Sequence, residues 1–199
     1  MKLLLGSRNP GKLREICEIL REVPSLELLT WEEVAFSAVE ETADSFLENA
    51  QLKARRICEE TGLPVLAEDS GLEVEALGGR PGVRSARFAH EGATDEENIR
   101  LLLRMLEGAD DRDRRARFRA VAVVRFPDGK ELVGEGELRG RIAREPRGHS
   151  GFGYDPVFIP EGFDRTLAEL GPAIKNEISH RRRALEQIKR QLLELLEKG

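Results

Sequence analysis

Leu13, Ile16, Cys17 and Leu20 recur at the i, i+3, i+4, i+7 spacing of one helical face. Glu15, Glu18 and Arg21 fall on the other face, so residues 10–22 are predicted to form an amphipathic helix. The apolar run Leu3-Leu4-Leu5 before it reads as a strand, and Leu26-Glu27-Leu28-Leu29 after it as a second. A second helix is predicted from Ser45 to Glu60. Ser45 and Glu48 have the spacing of a capping box, which satisfies exposed N–H groups at a helix start. Phe46, Ala50, Ala54 and Ile57 line its core face, and Gly62 and Pro64 stop it. Pro64-Val65-Leu66-Ala67 reads as a short buried strand ending in Glu68-Asp69-Ser70-Gly71. The alternation of Leu72-Glu73-Val74-Glu75 reads as another strand. Thr94 and Glu97 form another capping box, opening a helix with Ile99, Leu102, Leu103 and Leu106 inward.

Residues 115–126 place Ala116, Phe118, Ala120, Ala122, Val124 and Phe126 on one face of a long strand. Asp128-Gly129 is a hairpin turn, and residues 130–144 return as one or two strands, broken near Gly140. A glycine-rich loop from Gly148 to Asp155 precedes the strand Val157-Phe158-Ile159. The last helix starts after Ser179 and turns Leu185, Ile188, Leu192 and Leu195 inward. Strands and helices alternate early and strands cluster later, the pattern of an α/β fold with a mixed sheet.

Composition narrows the class. A chain of 199 residues makes one domain or one compact two-lobed unit, and 40% hydrophobic content supports a globular protein. Abundant Glu and Arg with few Met and Cys resemble the composition of heat-stable proteins. A net charge of −5 argues against broad, charge-driven binding of nucleic acid, but not against a local basic pocket for a small phosphorylated ligand. Cys17 and Cys58 sit beside apolar residues in helical patterns and read as buried thiols. No apolar run approaches the ~18–20 residues of a membrane span, and Leu3-Leu4-Leu5 is too short for a signal-peptide core. A cytoplasmic protein is expected.

Four clusters carry candidate chemistry. Ser7-Arg8-Asn9-Pro10-Gly11-Lys12 follows a strand and opens a helix. Such a turn offers unpaired N–H groups, a positive helix end and a lysine to an anion. Its spacing is not that of a P-loop. Two acidic pairs, Glu40-Glu41 and Glu68-Asp69, lie on separate segments. Mg²⁺ takes oxygen ligands and bridges one or two carboxylates to substrate phosphates, although Glu40-Glu41 equally suits a helix start. Lys53 lies near the apolar face of the second helix, where it either snorkels to solvent or reaches a ligand beside Lys12. The late group comprises Gly151-Phe152-Gly153-Tyr154-Asp155, Lys175-Asn176 and Ser179-His180-Arg181. Its aromatics can stack a planar base or plug a core. Taken together, two lysines, an asparagine, carboxylates, an aromatic loop and a His-Arg pair suit a nucleoside triphosphate with Mg²⁺.

At these residues the chain resembles the inosine triphosphate pyrophosphatase family, in order and over nearly its whole length. The matching strings are Ser7 to Lys12, Glu40-Glu41-Thr42, Phe46 to Ala50, Lys53-Ala54, Glu68 to Leu72, Leu77-Gly78-Gly79 with Pro81-Gly82, Ser85-Ala86-Arg87, Gly151 to Pro156 and Ile178 to Arg181. Glu68 stands where some members carry Asp, and Ala43 where many carry Gly. The resemblance implies a single nucleoside triphosphate pyrophosphatase domain over 1–199. Its fold would be a two-lobed α/β arrangement around a long, twisted mixed sheet flanked by helices, with the active site in the cleft between lobes. It implies Mg²⁺-dependent hydrolysis of ITP, dITP and XTP to the monophosphate and pyrophosphate, and a homodimer. By position, Ser7, Arg8, Asn9, Pro10, Gly11 and Lys12 would hold the phosphates with help from Lys53. Asp69 would be general base and metal ligand, aided by Glu40 or Glu41. Ser70, Phe152, Gly153, Tyr154, Asp155, Lys175, His180 and Arg181 would hold the nucleotide and base.

Base choice has a physical basis in the same residues. Hypoxanthine and xanthine present a 6-oxo acceptor where adenine presents a 6-amino donor. A pocket of N–H and Arg donors therefore favours the former. Three other readings compete: a pyrophosphatase for other altered nucleotides such as the Maf-like proteins, a nucleotide sensor without turnover, and an RNA-binding protein using Arg112 to Arg119 and Arg181 to Arg183. The intact acidic set disfavours the sensor. Asp113 interrupts the first basic stretch, where Arg117 and Arg119 alternate with apolar positions.

Overall fold

In the computed structural model, which describes residues 1–197, strand β1 (Lys2–Leu5) leads into helix α1 (Pro10–Leu20). Strand β2 (Glu27–Leu29), helix α2 (Phe46–Thr61) and strand β3 (Val65–Val74) follow, then helix α3 (Asp95–Met105). Strands β4 (Arg115–Arg125), β5 (Glu131–Ile142) and β6 (Phe158–Pro160) precede helices α4 (Leu167–Leu170), α5 (Pro172–Ile178) and α6 (His180–Glu197). The six strands form one sheet in the order β2-β1-β3-β4-β5-β6. β1 is parallel to β2 and β3, while β5 and β6 are antiparallel, so the sheet is mixed as the sequence predicts.

The chain divides into two units. Unit 1 contains Met1–Asp69, Ala120–Gly136 and the chain from Arg181 on; unit 2 contains Ser70–Arg119 and Glu137–His180. In unit 1, successive residues of β1 point to opposite faces and both faces are covered. Leu3 and Leu5 pack with Ile16, Ile19 and Leu20 of α1 and with Ala184, Leu185 and Ile188 of α6. Leu4 packs on the other side with Val65 and with Ile57 and Cys58 of α2. Burial on both faces explains why this parallel strand is continuously apolar rather than alternating. In unit 2, Leu72, Val74, Ala116, Phe118 and Leu138 share a core with Ile99 and Leu102 of α3, Phe158 and Leu167. The alternate residues carry charge: Arg117 pairs with Glu73 at 2.7 Å and Glu137 at 3.1 Å.

Local chemistry sets the helix ends. The Asn9 carboxamide accepts from the Lys12 amide at 3.1 Å, with Pro10 opening α1. Ser45 caps α2 through the Glu48 amide, and Gly62 closes it at φ 70°. The Thr94–Glu97 capping box of α3 forms in both directions.

Four expectations need correction. β3 is one ten-residue strand that runs straight through Glu68-Asp69-Ser70-Gly71, so Asp69 is a mid-strand residue. The strand tolerates these polar groups because each carboxylate has partners, described below. β5 is unbroken at Gly140, whose missing side chain is required by packing: a Cβ there would overlap the Ile159 carbonyl and the Phe158 ring. Glu15 does not face solvent but is buried at 9% exposure. Helices α4 and α5 escaped prediction, being only four and seven residues long. Both cysteines are free thiols, pushed up in pKa chiefly by burial. No helix among the described residues is long and apolar enough to cross a membrane.

Candidate active site

Unit 1 gathers most of the predicted charged residues around β3. Gly6 ends β1 close against Ile57, Val65 and the Leu66 carbonyl, and its amide donates to that carbonyl at 2.8 Å. This fixes the following turn, where the Ser7 hydroxyl accepts from the Asn9 amide at 3.2 Å. Lys12, on the first turn of α1, lies 3.5 Å from Glu68 Oε1. Arg8 turns away from the helix start: its guanidinium donates to the Phe36 carbonyl and sits 5.4 Å above the Phe36 ring.

Helix α2 contributes two side chains one turn apart. Lys53 Nζ donates to Glu41 Oε1 at 2.5 Å and to the Glu68 carbonyl at 2.7 Å. Asn49 Nδ2 donates to Asp69 Oδ2 at 3.0 Å and to the Ala43 carbonyl at 3.3 Å, and its Oδ1 accepts from the Ala43 amide at 2.9 Å. Of the acidic pair Glu40-Glu41, the structure brings Glu41 to Lys53 and leaves Glu40 exposed. Ala43 needs no glycine, since Ser25 is the one non-glycine residue with positive φ among those described.

Asp69 is 3% exposed. Burial pushes its carboxyl up to about 6, and the nearby Glu41 charge adds to the rise, while Lys53, Lys12 and Asn49 oppose it. A carboxyl poised near neutrality is suited to proton transfer. Glu68 points elsewhere. Its carboxylate receives Arg181 Nε at 2.5 Å, and Arg181 also donates to Glu15 from α1. Arg181, expected at the nucleotide base, is 1% exposed and pairs with Glu68 and Glu15.

Unit 2 holds the aromatic loop. Gly151 adopts φ 79° with the Asp155 carboxylate where a Cβ would stand. Asp155 Oδ2 accepts from the Phe152 amide at 3.1 Å and from Lys175 Nζ at 2.7 Å. Lys175 Nζ also lies 4.3 Å from the centroid of the Phe152 ring. The Gly153 amide donates to Asp95 at 2.8 Å, and the Tyr154 hydroxyl donates to the Ser85 carbonyl at 2.7 Å. Burial, with the charge of Asp95, pushes the Tyr154 hydroxyl up, so it stays a donor. His180 stacks on Phe118 with ring centroids 4.8 Å apart and planes 13° from parallel. Ser70 is half-buried on β3. Tyr154 is thus fixed by its own hydroxyl and Phe152 by its backbone amide and Lys175, and Phe152 is half-buried.

A groove of about 730 Å³ also lies in unit 2, lined by Arg115, Arg117, Arg139, Arg141, Glu73 and Glu161 among others. It contains none of the residues expected to hold nucleotide or metal, but it does include Arg115 and Arg117 of the basic stretch. Arg115 pairs with Glu75, Arg117 with Glu73 and Glu137, and Arg139 with Glu137, while Arg141 donates to the Phe163 carbonyl; outside the groove, Arg119 of the basic stretch lies 3.6 Å from Glu73. Arg114 is buried and donates to the carbonyls of Ile142, Leu106 and Ala143.

Two residues of the unit 1 cluster went unassigned from sequence, Asn49 and Glu15. The available signal was a polar residue on or beside an apolar helix face: Asn49 next to Ala50, and Glu15 next to Ile16. Asn49 is 0% exposed, and a polar group so buried needs partners.

Comparison with known proteins shows the family. The chain is 51% identical to a dITP/XTP pyrophosphatase of Aquifex aeolicus, covering 94% of this chain and 95% of that one. It is 46% identical to a dITP/XTP pyrophosphatase of Coxiella burnetii, covering 98% of each. The solved structure of a HAM1 protein from Coxiella burnetii superposes with a TM-score of 0.89 at 45% identity, covering 98% of this chain and 99% of that one. The Ham1 family profile matches residues 3–191. With the resemblance read from its motifs carried by sequence and fold alike, the chain belongs to the Ham1 family.

Proposed function

We propose that this protein hydrolyses nonstandard purine nucleoside triphosphates, dITP, XTP and ITP, to the monophosphate and pyrophosphate. The relatives named dITP/XTP pyrophosphatase support the reaction class and the first two substrates. The observation that carries the reading is Asp69: a buried carboxyl raised to about 6, facing Glu41, Lys12 and Lys53. Structural carboxylates are ordinarily neutralised; this one is kept beside a second negative charge.

The donor set fits a divalent cation of the Mg²⁺ class. Glu41 and Asp69 offer oxygen ligands only, and their mutual repulsion is what such a cation relieves. Among the described residues no cluster of three or more metal-binding side chains occurs, so water and phosphate oxygens would complete the shell, with Glu40 able to join from the same segment. When bound, Mg²⁺ supplies charge neutralisation for the phosphates and lowers the pKa of bound water.

The protein's own groups supply the rest. Ser7, Asn9 and the start of α1 position phosphate oxygens, with Arg8, Pro10 and Gly11 shaping the turn. Lys12 and Lys53 neutralise charge, leaving their carboxylate partners as substrate enters. Asp69 accepts the proton of the attacking water, and pyrophosphate leaves. Phe152 offers a ring face to a purine, held by Lys175 and Asp155. Gly153, Tyr154 and the His180 segment, with Ser70, frame its edge. Arg181 acts on this chemistry by fixing Glu68. Homodimerisation and a cytoplasmic location fit a nucleotide-pool enzyme and belong to the same proposal.

Pyrophosphate release from ITP, XTP, dITP, ATP, GTP and CTP, with Mg²⁺ and with chelator, tests the reading. Mg²⁺-dependent release from the first three alone is expected. Tight nucleotide binding without release from any of them overturns it in favour of a sensor.

A further inference from the structure

Asn49 and Lys53 lie four residues apart on α2, so their side chains sit one above the other on the same helix face. Each bridges the segment before α2 to strand β3. Lys53 joins the Glu41 carboxylate to the Glu68 carbonyl, and Asn49 joins the Ala43 backbone to the Asp69 carboxylate. The two bridges differ in kind. The Lys53 side chain is 11% exposed, flexible and cationic, the kind of group a phosphate recruits. Asn49 is 0% exposed and uses its acceptor and both of its N–H donors.

We infer that Asn49 is a positioning residue: its carboxamide ties the segment that carries Glu41 to Asp69 and holds the two together when Lys53 transfers to substrate. The inference rests on the role given above to Glu41 and Asp69. Only an amide meets the geometry. Aspartate at this position has no donor for Asp69 or for the Ala43 carbonyl and adds a third negative charge. A hydroxyl is too short to hold both sides of Ala43 and Asp69 together. Glutamine carries an extra methylene into a fully buried site.

The test uses Asn49→Ser and Asn49→Ala in the full chain, with folding checked by circular dichroism. Mn²⁺ binding is measured by electron paramagnetic resonance without nucleotide, and turnover of ITP is measured at saturating Mg²⁺. Mn²⁺ affinity is expected to fall about 10–100-fold, the range for lost outer-shell support. Turnover is expected to fall about 100-fold while KM changes little, the mark of misplaced groups. Lys53→Ala, by contrast, should act mainly on KM. Folded Asn49 variants with wild-type Mn²⁺ affinity and turnover overturn the inference. Should both variants fail to fold, the unmodified protein decides: the Asn49 carboxamide resonance should exchange slowly with solvent and shift on addition of Mg²⁺ alone. A resonance indifferent to Mg²⁺ overturns it. Wild-type protein that binds Mn²⁺ but releases no pyrophosphate would remove the pyrophosphatase reading and leave the positioning of the carboxylates standing on the Mn²⁺ data.

Discussion

Arg181 Nε lies 2.5 Å from Glu68 Oε2, with the two side chains 2% and 1% exposed. Burial by itself would lower the basicity of Arg181, but the charges of Glu68 and Glu15 outweigh it and hold the guanidinium protonated. Loss of the guanidinium takes a charge partner from two buried carboxylates at once. Arg181→Met is therefore expected to lower stability by about 3–5 kcal/mol in urea unfolding. Arg181→Lys should recover only part of the loss, because one ammonium cannot replace a fork that reaches both Glu68 and Glu15. Wild-type stability in Arg181→Met would show that the network is dispensable.

Asp69 gives a pH dependence with a defined sign. Its folded pKa of about 6 exceeds the ordinary 3.8, so between those values the folded state holds the proton more tightly. Stability therefore falls as pH rises from about 4 to about 6, and stays lower above that. In metal-free buffer Asp69→Asn should remove this slope and be more stable than wild type at pH 7.5 by about 1–3 kcal/mol. Its turnover should fall by about 10²–10⁴. Thermal unfolding across the pH range with chelator present checks the first point. Identical slopes in the two proteins would refute it.

Lys175 is the cation for buried Asp155 and covers the Phe152 ring. Lys175→Ala is expected to destabilise the protein by about 3 kcal/mol, since it leaves a buried carboxylate without its charge partner. Hydrogen exchange should quicken at Phe152 and Asp155, and KM for ITP should rise more than turnover falls. Unchanged exchange would mean that Gly151 and Tyr154 hold the loop without Lys175.

Two glycines separate close approach from backbone freedom. A methyl at Gly140 meets the Ile159 carbonyl, whereas Gly62 has open space around it and is constrained only by its φ of 70°. Gly140→Ala should cost about 2–3 kcal/mol or more through overpacking, and Gly62→Ala about 1 kcal/mol. Equal shifts in melting temperature would contradict the packing assigned to β6.

The boundaries of α1, α2, α3 and β4 were legible because each has an amphipathic period and most have a cap, as with Ser45 and Thr94. Unit 1's sheet was legible for a different reason, its continuous apolar β1. What escaped had no local signature. A run of Glu, Asp, Ser and Gly resembles a turn, so sequence alone puts Asp69 at a strand end; only partners distant in sequence, Asn49 for Asp69 and Lys12 and Arg181 for Glu68, let a strand carry the run. Gly140 resembles a break for the same reason, since the residue it must admit, Ile159, lies far along the chain. Glu15 looks solvent-facing in sequence because its buried partner, Arg181, is supplied by α6. The individual candidates of the site were visible as motifs; their pairing was not.

Unit 1 opens with β1 and closes with α6, and its core needs Leu3 and Leu5 together with Ala184, Leu185 and Ile188. During synthesis the first strand therefore waits for the last helix. All of unit 2, ending at His180, is made before that helix emerges. Arg181, the first residue of unit 1 to follow, arrives when Glu15 and Glu68 have long been exposed, and it closes the charge network as the final core residues dock. A ribosome stalled before Arg181 would hold a chain in which Asp69 and the turn from Ser7 to Lys12 are already made but the guanidinium that joins Glu15 to Glu68 is missing.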